Sequence, residues 1–482
     1  MATDASNGTS LDFTTFQNVI DGKVVGTAKT RHTVSPSTLE DNPPLPLSTS
    51  EDVDKAVTAA QKAATEWAQV PWDARKKALE GFIEALEAEA EGFVQMLNKE
   101  QGKPLLWARH EVSMGVSFLK GFCGLSLPEE VLEDTAERKI TTHYTPLGVV
   151  VGIVPWNYPV FLACGKIGPA LLTGNAFILK PSPLAPYSAM KLVELGARFF
   201  PPGVLQALSG DNDLGPHFTA HPGVDMISFT GSGPVGKLIA KSCSATLKRV
   251  TLELGGNDPA IVCADVDAAA TAGKVALFAF CNSGQICMAI KRVYVHESVY
   301  DEFLAALVQN VKALQVGVDE TSFLGPLANE DNFKRVKGLL GDVEKAGLKI
   351  AVGGTQPIAD RKGFYLPATV IDNPPDESAI VEQEQFGPVL PLLKWSDESD
   401  VIQRANKTEV GLGSSVWTRD DEQATRIRKQ LKSGNVWINT HAEIVPNVPF
   451  GGHKQSGLGV EWGVEGMKSY CNLQAVFTRP HA

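Results

Sequence analysis

Two segments of the chain carry the side chains best suited to attack a carbonyl compound. Cys287 lies in Cys281-Asn-Ser-Gly-Gln-Ile-Cys-Met288, and Glu253 lies in Leu252-Glu-Leu-Gly-Gly-Asn257. A thiol can attack a carbonyl carbon, and a carboxylate can activate the water that releases the captured group. Glycines in both segments let the backbone come close to a small ligand. Taken singly, either residue also fits an ordinary role, because most cysteines are buried and most glutamates are solvated.

The size and composition of the chain predict a folded protein outside the membrane. Its 482 residues, 43% hydrophobic and 21% charged, can form two or three domains with their own cores. The net charge of -11 repels phosphate backbones, so we expect no nucleic-acid partner. No apolar run reaches transmembrane length, and the start lacks the features of a secretory signal. The seven scattered cysteines do not form a disulfide framework, which indicates a reducing, cytoplasmic setting.

Hydrophobic periodicity predicts helices in the first third of the chain, after a loose tail at residues 1–10. Ser48-Thr-Ser-Glu51 has the spacing of a capping box, and an apolar stripe follows at Val53, Val57, Ala60, Ala64 and Trp67. A second stripe, within residues 79–97, predicts one helix that begins near Asp73 and ends at Gly102. Both stripes are typical of helices that face a core.

Strands and helices alternate from Thr141 onward, which predicts a parallel, doubly wound sheet. Strands are predicted at residues 147–154, 176–180, 204–209, 225–230 and 247–254, and helices at 160–173 and 186–199. The alternation starts again after Asp258, with strands at 260–262 and 291–296 around a helix that ends near Phe280. A second α/β domain is therefore predicted to begin near Gly255-Gly256.

A glycine motif stands between one of these strands and the next helix. Gly231-Ser-Gly-Pro-Val-Gly236 has the spacing G-x-G-x-x-G in the context that places a phosphate on a helix N-terminus. The pattern is short, and a plain tight turn is the alternative. In the usual dinucleotide fingerprint an acid about twenty residues further on holds the ribose. Glu253 lies close to that position, so ribose binding is a second interpretation of this glutamate.

Nine short motifs occur in order along the chain. They are Pro155-Trp-Asn-Tyr-Pro159, Gly168-Pro-Ala170, Gly174-Asn175, Lys180-Pro-Ser182, Phe229-Thr-Gly-Ser232, Glu253-Leu-Gly-Gly256, Gly284-Gln-Ile-Cys287, Glu384-Gln-Phe-Gly-Pro-Val389 and Pro449-Phe-Gly-Gly452. In order and spacing, over residues from about 15 to 477, the chain resembles the aldehyde dehydrogenase superfamily. It is most similar to the non-phosphorylating, NAD(P)-dependent members.

The resemblance implies an α/β fold of three parts. These are a Rossmann-type cofactor domain at residues 1–127 and 147–255, an α/β catalytic domain at 256–447, and a small β oligomerisation arm at 128–146 and 467–482. It also implies a homodimer or homotetramer. Val460 and Tyr470-Cys-Asn472 depart from the family pattern where its subunits make contact, so the details of packing between subunits stay open.

The resemblance further implies a role for each catalytic side chain. Cys287 attacks the aldehyde, the Asn157 amide and the Cys287 N–H stabilise the oxyanion, and hydride transfer leaves a thioester. Glu253 activates the water that hydrolyses this thioester. Lys166 and Glu461 match a family pair that relays protons behind the general base. Two alternatives remain: Asn157 as a turn residue and Lys166 as a solvated helix lysine.

NAD or NADP is the implied cofactor. Lys180 is expected to bind the adenosine ribose, with Trp156 and Ser182 nearby. Gly231 and Ser232 are expected to contact the pyrophosphate. Glu384 is expected to hold the nicotinamide ribose, and Phe386 to bound the nicotinamide ring. After Lys180-Pro-Ser the family often has a glutamate that repels a 2′-phosphate. Here the position is Pro183, and no arginine clearly replaces it, so the choice between NAD and NADP is open. The nine histidines show no zinc-like spacing, and we predict no metal.

The expected substrate channel is mostly apolar, with Tyr158, Phe161, Leu162, Gly165, Ile286, Met288, Ile444 and Phe450 as its lining. Gly165 stands where some relatives have a bulky aromatic residue, so we expect a wide channel there. No arginine occurs among these positions, which argues against an acidic aldehyde and favours an apolar or aromatic one. His441 and Glu443 add polar groups at the mouth, and the sequence assigns them no role.

Three alternatives concern the chemistry itself. Cys281 lacks the preceding Gly-Gln pair of the family's nucleophile and is expected to be structural. A coenzyme A-acylating aldehyde dehydrogenase would pass the acyl group to the thiol of coenzyme A. Because a thiol has less need of a base than water has, such an enzyme would depend less on Glu253. A non-catalytic dinucleotide-binding protein on the same fold would not need Cys287, Asn157 and Glu253 together.

Overall fold

Two large β-sheets, one of eight and one of seven strands, organise the part of the chain that the structure describes. The structure, a computed structural model, describes residues 10–356, 358 and 361–480. The loose tail expected at residues 1–10 lies outside this range, apart from Ser10. No helix in these described residues has both the length and the apolar character needed to cross a membrane. The mixed α/β architecture with parallel sheets confirms the predicted fold class.

The segment before the parallel strands of the first sheet is mainly helical, although its first two strands join the edge of that sheet. Its elements are β1 (Asn18–Ile20), β2 (Lys23–Val25), β3 (Thr30–Arg31), β4 (Leu45–Pro46), α1 (Ser50–Trp67), α2 (Trp72–Ala88), α3 (Ala90–Gln101), α4 (Leu105–Cys123), β5 (Glu130–Asp134) and β6 (Lys139–Pro146).

The first α/β unit follows the expected alternation. Its elements are β7 (Val149–Ile153), α5 (Pro159–Leu172), β8 (Ala176–Lys180), α6 (Tyr187–Gly196), β9 (Leu205–Ala207), α7 (Leu214–Ala220), β10 (Met226–Thr230), α8 (Gly233–Cys243) and β11 (Arg249–Glu253). Successive residues of β7 and β8 alternate between two hydrophobic clusters, one on each face of the sheet. Both strands are therefore apolar along their length, as parallel strands covered on both faces must be.

The second unit repeats the alternation, and short elements complete the chain. They are β12 (Asp258–Val262), α9 (Ala268–Phe280), β13 (Ile290–His296), α10 (Tyr300–Ala313), α11 (Glu330–Lys345), β14 (Ile350–Val352), β15 (Thr369–Asp372), α12 (Ala379–Glu382), β16 (Val389–Trp395), α13 (Glu398–Asn406), β17 (Val410–Gly411), β18 (Gly413–Trp417), α14 (Asp421–Arg428), β19 (Asn435–Ile438), β20 (His453–Lys454), β21 (Gly457–Leu458), α15 (Gly463–Lys468) and β22 (Cys471–Thr478).

Two of the predicted helix boundaries are wrong. The apolar stripe of α1 is buried as predicted, but its N-cap is Thr49, whose backbone N–H donates to the Asp52 carboxylate at 2.9 Å. The box predicted at Ser48-Thr-Ser-Glu51 is one residue too early, because aspartate takes the place of glutamate here. The single helix predicted from Asp73 to Gly102 is split at Glu89. That residue leaves helical geometry (ψ 7°), and its carboxylate accepts the Leu11 N–H at 2.9 Å.

The order of the parallel strands marks a place for a ligand. In the first sheet the order is β9-β8-β7-β10-β11, so the chain reverses its direction across the sheet between β7 and β10. In open parallel sheets, ligands bind beyond the carboxyl ends of the strands at such a point. The segments that leave these two ends contain Trp156, Asn157 and the glycine motif Gly231-Ser-Gly-Pro-Val-Gly236. The topology alone therefore indicates a site where the motifs do.

A second large sheet and a smaller third sheet accompany the first. The second has the order β14-β15-β16-β13-β12-β18-β19 and is parallel except for the β14–β15 pair. The third is an antiparallel sheet of β22, β6 and β5, formed by the two segments that were expected to make the oligomerisation arm. The domain boundaries themselves stay a prediction.

A buried ion pair, unforeseen from the sequence, holds the start of α5. The Glu111 carboxylate on α4 accepts the backbone N–H groups of Val160 (2.9 Å) and Phe161 (3.3 Å). Its other oxygen accepts a hydrogen bond from Lys103, whose ammonium also donates to the Asn157 carbonyl oxygen at 2.8 Å. Because both side chains are almost fully buried, each charge depends on the other.

We expect Glu111→Ala to lower the free energy of unfolding by about 3–5 kcal/mol, because it leaves the Lys103 charge buried without its partner. Glu87→Ala, which removes the exposed Lys120 partner, is the matched control and should cost less than about 1 kcal/mol. Thermal and urea unfolding of both variants measure the difference. Equal losses would show that the buried pair contributes no more than a surface pair.

Candidate active site

Cys287 lies in a tight loop between α9 and β13. Asn282 and Ser283 have left-handed backbone angles (φ 49° and 55°), and Gly284 follows with φ 71°. A side chain at Gly284 would collide with the Gly387 carbonyl oxygen, so glycine is required there. Three left-handed residues in succession make the sharp turn that leads from α9 to the nucleophile candidate.

Charged groups surround the Cys287 thiol. Burial is the strongest influence and raises the pKa of this thiol to about 12. The Lys291 ammonium lowers the pKa, whereas the carboxyl groups of Glu384, Asp258 and Glu253 raise it further. Since the thiolate is the nucleophile, its formation depends on the balance of these charges.

Glu253 ends β11 and lines the same cavity as Cys287. It is 4% exposed, and neither carboxylate oxygen has a hydrogen-bond partner among the described residues. Burial raises its pKa well above the usual range, the Glu461 carboxylate raises it further, and the Lys166 ammonium lowers it. A carboxylate with a raised pKa and free oxygens suits a general base that takes a proton from water.

The fold brings Lys166 and Glu461 into direct contact. Lys166 on α5 donates to the Glu461 carboxylate, and Ser228 Oγ lies 3.0 Å from both groups. The two charged side chains are 0% and 3% exposed, so the alternative of a solvated lysine is wrong. With the Tyr470 hydroxyl 3.4 Å from Ser228, these groups form a buried polar cluster beside Glu253.

Asn157 connects the end of β7 to the nucleophile loop. Its side-chain nitrogen donates to the Gln285 carbonyl oxygen at 2.9 Å, and its own carbonyl accepts from Lys103. Gln285 precedes Cys287 by two residues, so these bonds fix the amide next to the thiol loop. Asn157 therefore faces the site as well as forming part of the turn.

Cys287 stands where two cavities meet. The first has a volume of about 290 Å³ and an almost wholly apolar lining, and the second has a volume of about 340 Å³. Four residues line both cavities: Asn157, Thr230, Leu254 and Cys287. Cys281 lines the first cavity but not the second. Of these two cysteines, Cys287 is therefore the one that lines both cavities.

The second cavity contains most of the residues predicted to bind the cofactor. Its lining includes Trp156, Gly231, Ser232, Glu384 and Phe386, but not Lys180 or Ser182. Helix α8 begins here, and its N-cap residue makes no side-chain bond to the first N–H groups. These N–H groups remain for a phosphate, so a dinucleotide fits this cavity.

The surroundings of Lys180 correct one expectation from the sequence. Burial lowers the pKa of Lys180 to about 8, an effect that Asp211 and Asp213 oppose and Arg31 reinforces. The Arg31 guanidinium on β3 donates to the Pro183 carbonyl oxygen at 2.6 Å. An arginine therefore does lie beside the position of the missing glutamate. It comes from a strand 152 residues earlier, so adjacency in the sequence could not show it.

The first cavity contains most of the residues expected to line a substrate channel. They are Tyr158, Phe161, Leu162, Ile286, Met288 and Phe450. Ile444 packs against the adjacent hydrophobic core but is not part of the lining. His441 is fully buried, binds the Met288 carbonyl oxygen at 2.9 Å, and lies behind the nucleophile loop instead of at the mouth.

The expectation of a wide channel at Gly165 is wrong. A Cβ atom on Gly165 would lie 2.8 Å from Nε1 of Trp462, whose indole fills the space that the glycine leaves. Trp462 packs its ring against Phe118, Phe161 and Phe450, with centroid distances of 4.9, 5.6 and 4.9 Å. It also lines the cavity, so the bulky aromatic side chain is present but comes from another part of the chain.

Several lining residues were missed in the sequence analysis. Helix α4 contributes Trp107, His110 and Met114, and α9 contributes Leu277 and Phe278. The α4 residues are spaced by three and four positions, which places them on one helix face. That spacing was visible in the sequence, but nothing in it shows that this face lies against Cys287.

Sequence comparison connects this geometry to known proteins. A sequence model described as "Aldehyde dehydrogenase family" matches residues 24–476. Aldehyde dehydrogenase LUC3 of Fusarium sp is 43% identical over 467 residues, which are 97% of this chain and 99% of the relative. Phenylacetaldehyde dehydrogenase of Pseudomonas fluorescens is 34% identical over an alignment of 468 residues that covers 93% of this chain and 92% of the relative.

Solved structures show the same architecture. The E. coli NADP dependent enzyme superposes with a TM-score of 0.93 at 31% identity, over 97% of this chain and 99% of the other. A mutant of aldehyde dehydrogenase C from Pseudomonas syringae, in complex with NAD+ and octanal, superposes with a TM-score of 0.92 at 31% identity, over 98% of each chain. The family assignment made from the ordered motifs is confirmed, and this chain belongs to the aldehyde dehydrogenase family.

Proposed function

We propose that this enzyme oxidises an apolar or aromatic aldehyde to its carboxylic acid with NAD or NADP, through a covalent intermediate on Cys287. One observation carries the proposal: Cys287 forms part of the wall of both the apolar cavity and the cavity that fits a dinucleotide. A thiol in that position can hold the substrate carbon at the boundary between the two ligands.

The first step is attack of the Cys287 thiolate on the aldehyde carbon, which turns the carbonyl oxygen into an oxyanion. The Asn157 amide and the Cys287 N–H are the donors proposed to stabilise this oxyanion. The bond of the Asn157 amide to the Gln285 carbonyl oxygen fixes this amide before substrate arrives, so little reorganisation is needed during the reaction. When bound, NAD(P)+ would accept a hydride from the adduct, and loss of this hydride leaves a thioester.

The second step is hydrolysis of the thioester, and it needs a base. Glu253 takes a proton from a water molecule, the water oxygen adds to the thioester carbon, and the carbon–sulfur bond breaks to release Cys287 as thiolate. The Lys166–Glu461 pair is proposed to carry the proton away from Glu253, since the charge of the Glu461 carboxylate acts on Glu253 and both residues line the same cavity. Glu253 must be ionised to act, so its raised pKa predicts faster hydrolysis as the pH rises.

The lining of the first cavity supports an apolar substrate. No lysine or arginine side chain belongs to that lining within the described part of the chain, so an acidic aldehyde would find no counter-charge. Two similar proteins agree with this class, because one is named phenylacetaldehyde dehydrogenase and the structure of the other contains octanal.

Two further parts of the proposal concern assembly and setting. The arm strands expose Val131, Leu132, Leu473 and Phe477, each more than half exposed, which supports burial against another subunit in a homodimer or homotetramer. A cytoplasmic location stays a prediction from the composition.

The proposal is tested by separating the two half-reactions with Glu253→Gln. In the absence of coenzyme A, this variant should form up to one NADH per active site with a suitable aldehyde and then stall as acyl-enzyme. The wild-type enzyme should turn over continuously under the same conditions. A need for coenzyme A in the wild type would establish the acyl-transfer alternative, and no NADH with any aldehyde would favour the non-catalytic one.

Cofactor choice is expected to depend on Pro183 and Arg31. Pro183→Glu should raise the ratio of NAD to NADP activity about tenfold or more, because a carboxylate binds ribose hydroxyls and repels a 2′-phosphate. Arg31→Ala should raise the same ratio by removing an attractive charge. Values of kcat/KM for both cofactors, measured on each variant, check this. An unchanged ratio in both would show that these residues do not face the ribose.

Trp462, and not residue 165, is expected to set the width of the inner channel. Trp462→Leu should raise kcat/KM for two-ring or branched aldehydes about tenfold relative to propanal, because it removes an aromatic wall. Ile444→Ala is the control, since Ile444 does not line the cavity. An equal loss for small and large aldehydes would mean that the change disturbs Glu461 and not the width.

A further inference from the structure

Lys291 is a buried lysine on β13 that the mechanism above leaves without a role. Its ammonium donates hydrogen bonds to the carbonyl oxygens of Ile286 at 2.7 Å and Cys287 at 2.6 Å. It also forms an ion pair with a Glu384 carboxylate oxygen at 3.2 Å. The Lys291 side chain is 3% exposed. It therefore joins the nucleophile loop to a residue of the proposed cofactor site.

The bond to Ile286 also helps to set where the next N–H group points, together with the Ala289 N–H, which donates to the same carbonyl oxygen at 3.2 Å. The Ile286 carbonyl and the Cys287 N–H belong to one trans peptide unit, in which they point in opposite directions. When Lys291 holds the carbonyl on one side, the N–H is directed to the other. Within the described residues, no group accepts a hydrogen bond from this N–H. The donor remains free for an oxygen atom of a ligand.

The charge of Lys291 differs in sign from its neighbours around the thiol. The other ionisable groups that act on Cys287 are Glu253 from β11, Asp258 from β12, Glu384 after α12 and Tyr158 before α5. All four are acids, and each ionised acid opposes a thiolate. Of the charged groups with the strongest effect on this thiol, Lys291 is the cation.

We infer that Lys291 is a positioning residue for the reaction, with two linked effects on Cys287. Its hydrogen bond to the Ile286 carbonyl aims the Cys287 N–H at the oxyanion, and its charge stabilises the Cys287 thiolate. The inference rests on the proposed function, because it takes Cys287 as the nucleophile. Lys291 touches neither the aldehyde nor the reacting carbon in this account and acts through the loop that it binds.

Two neutral variants separate the effects. Lys291→Met removes both the charge and the donors, whereas Lys291→Gln removes the charge but keeps an amide donor for the carbonyls. The first measurement is the rate of alkylation of Cys287 by iodoacetamide as a function of pH, followed by mass spectrometry on cofactor-free enzyme. The second is kcat and KM for aldehyde and cofactor. Lys345→Gln, an exposed lysine on α11, is the control.

Loss of a nearby cation raises the pKa of a thiol, so the alkylation rate at each pH should fall about tenfold or more in both neutral variants. The value of kcat should fall more than tenfold in Lys291→Met and less in Lys291→Gln, with KM for cofactor little changed. The control should match the wild type. Because Lys291→Gln retains bonds to the loop, it carries the test if Lys291→Met does not fold.

The inference is overturned if the alkylation profile of a folded neutral variant overlies that of the wild type, or if both variants keep the wild-type kcat. Its failure is distinct from failure of the proposed function. If Cys287→Ala retains aldehyde oxidation, then the nucleophile was misassigned and the proposed function fails. If Cys287→Ala is inactive while Lys291 variants behave as wild type, then only the role of Lys291 is lost.

Discussion

Pairing of buried charges is the constraint on which this active site depends. An isolated charge in a protein interior is costly, so a buried lysine needs an anion and hydrogen-bond acceptors close by. Three such pairs surround the site: Lys103–Glu111, Lys166–Glu461 and Lys291–Glu384. The second and third pairs join elements that are distant in sequence, and each of the three ammonium groups also binds a group of the site or next to it. The pairs therefore fix the loops from which the reactive groups project.

The reactive groups themselves are the exceptions to this pairing. Glu253 is buried with both carboxylate oxygens free of protein partners, and the half-buried Cys287 lies among several acids. Both have raised pKa values for the same reason, which is loss of solvent around the ionised form. A protein retains such unpaired groups where they act on a ligand. In this account the paired charges hold the structure, and the unpaired ones perform the chemistry.

Much of the fold was predictable from the sequence because its signals are local. The apolar strands β7 and β8, the glycine motif before α8 and the stripe of α1 each reveal their structure within a few residues. The ordered motifs then identified the family and the residues that converge near Cys287. The errors at Thr49 and Glu89 arose where a carboxylate replaced a more familiar pattern.

The parts that the sequence could not show depend on contacts across long separations. Trp462 fills the space beside Gly165, and Arg31 reaches Pro183. The sequence around Gly165 and Pro183 gives no sign of these partners. The face of α4 that lines the apolar cavity carries a helical spacing that fits an ordinary core equally well. These contacts are determined by packing in three dimensions, so the pattern of residues along the sequence does not reveal them.

The most direct test of the account is to locate the covalent intermediate. Wild-type enzyme is mixed with an aromatic aldehyde and cofactor, quenched in acid during turnover and digested with trypsin. Cys281 and Cys287 fall on the same peptide, residues 275–291, so fragmentation in the mass spectrometer must place the acyl group. The account predicts an acyl mass on Cys287 with Cys281 unmodified. An acyl group on Cys281, or turnover with no acyl-peptide at any quench time, would contradict it.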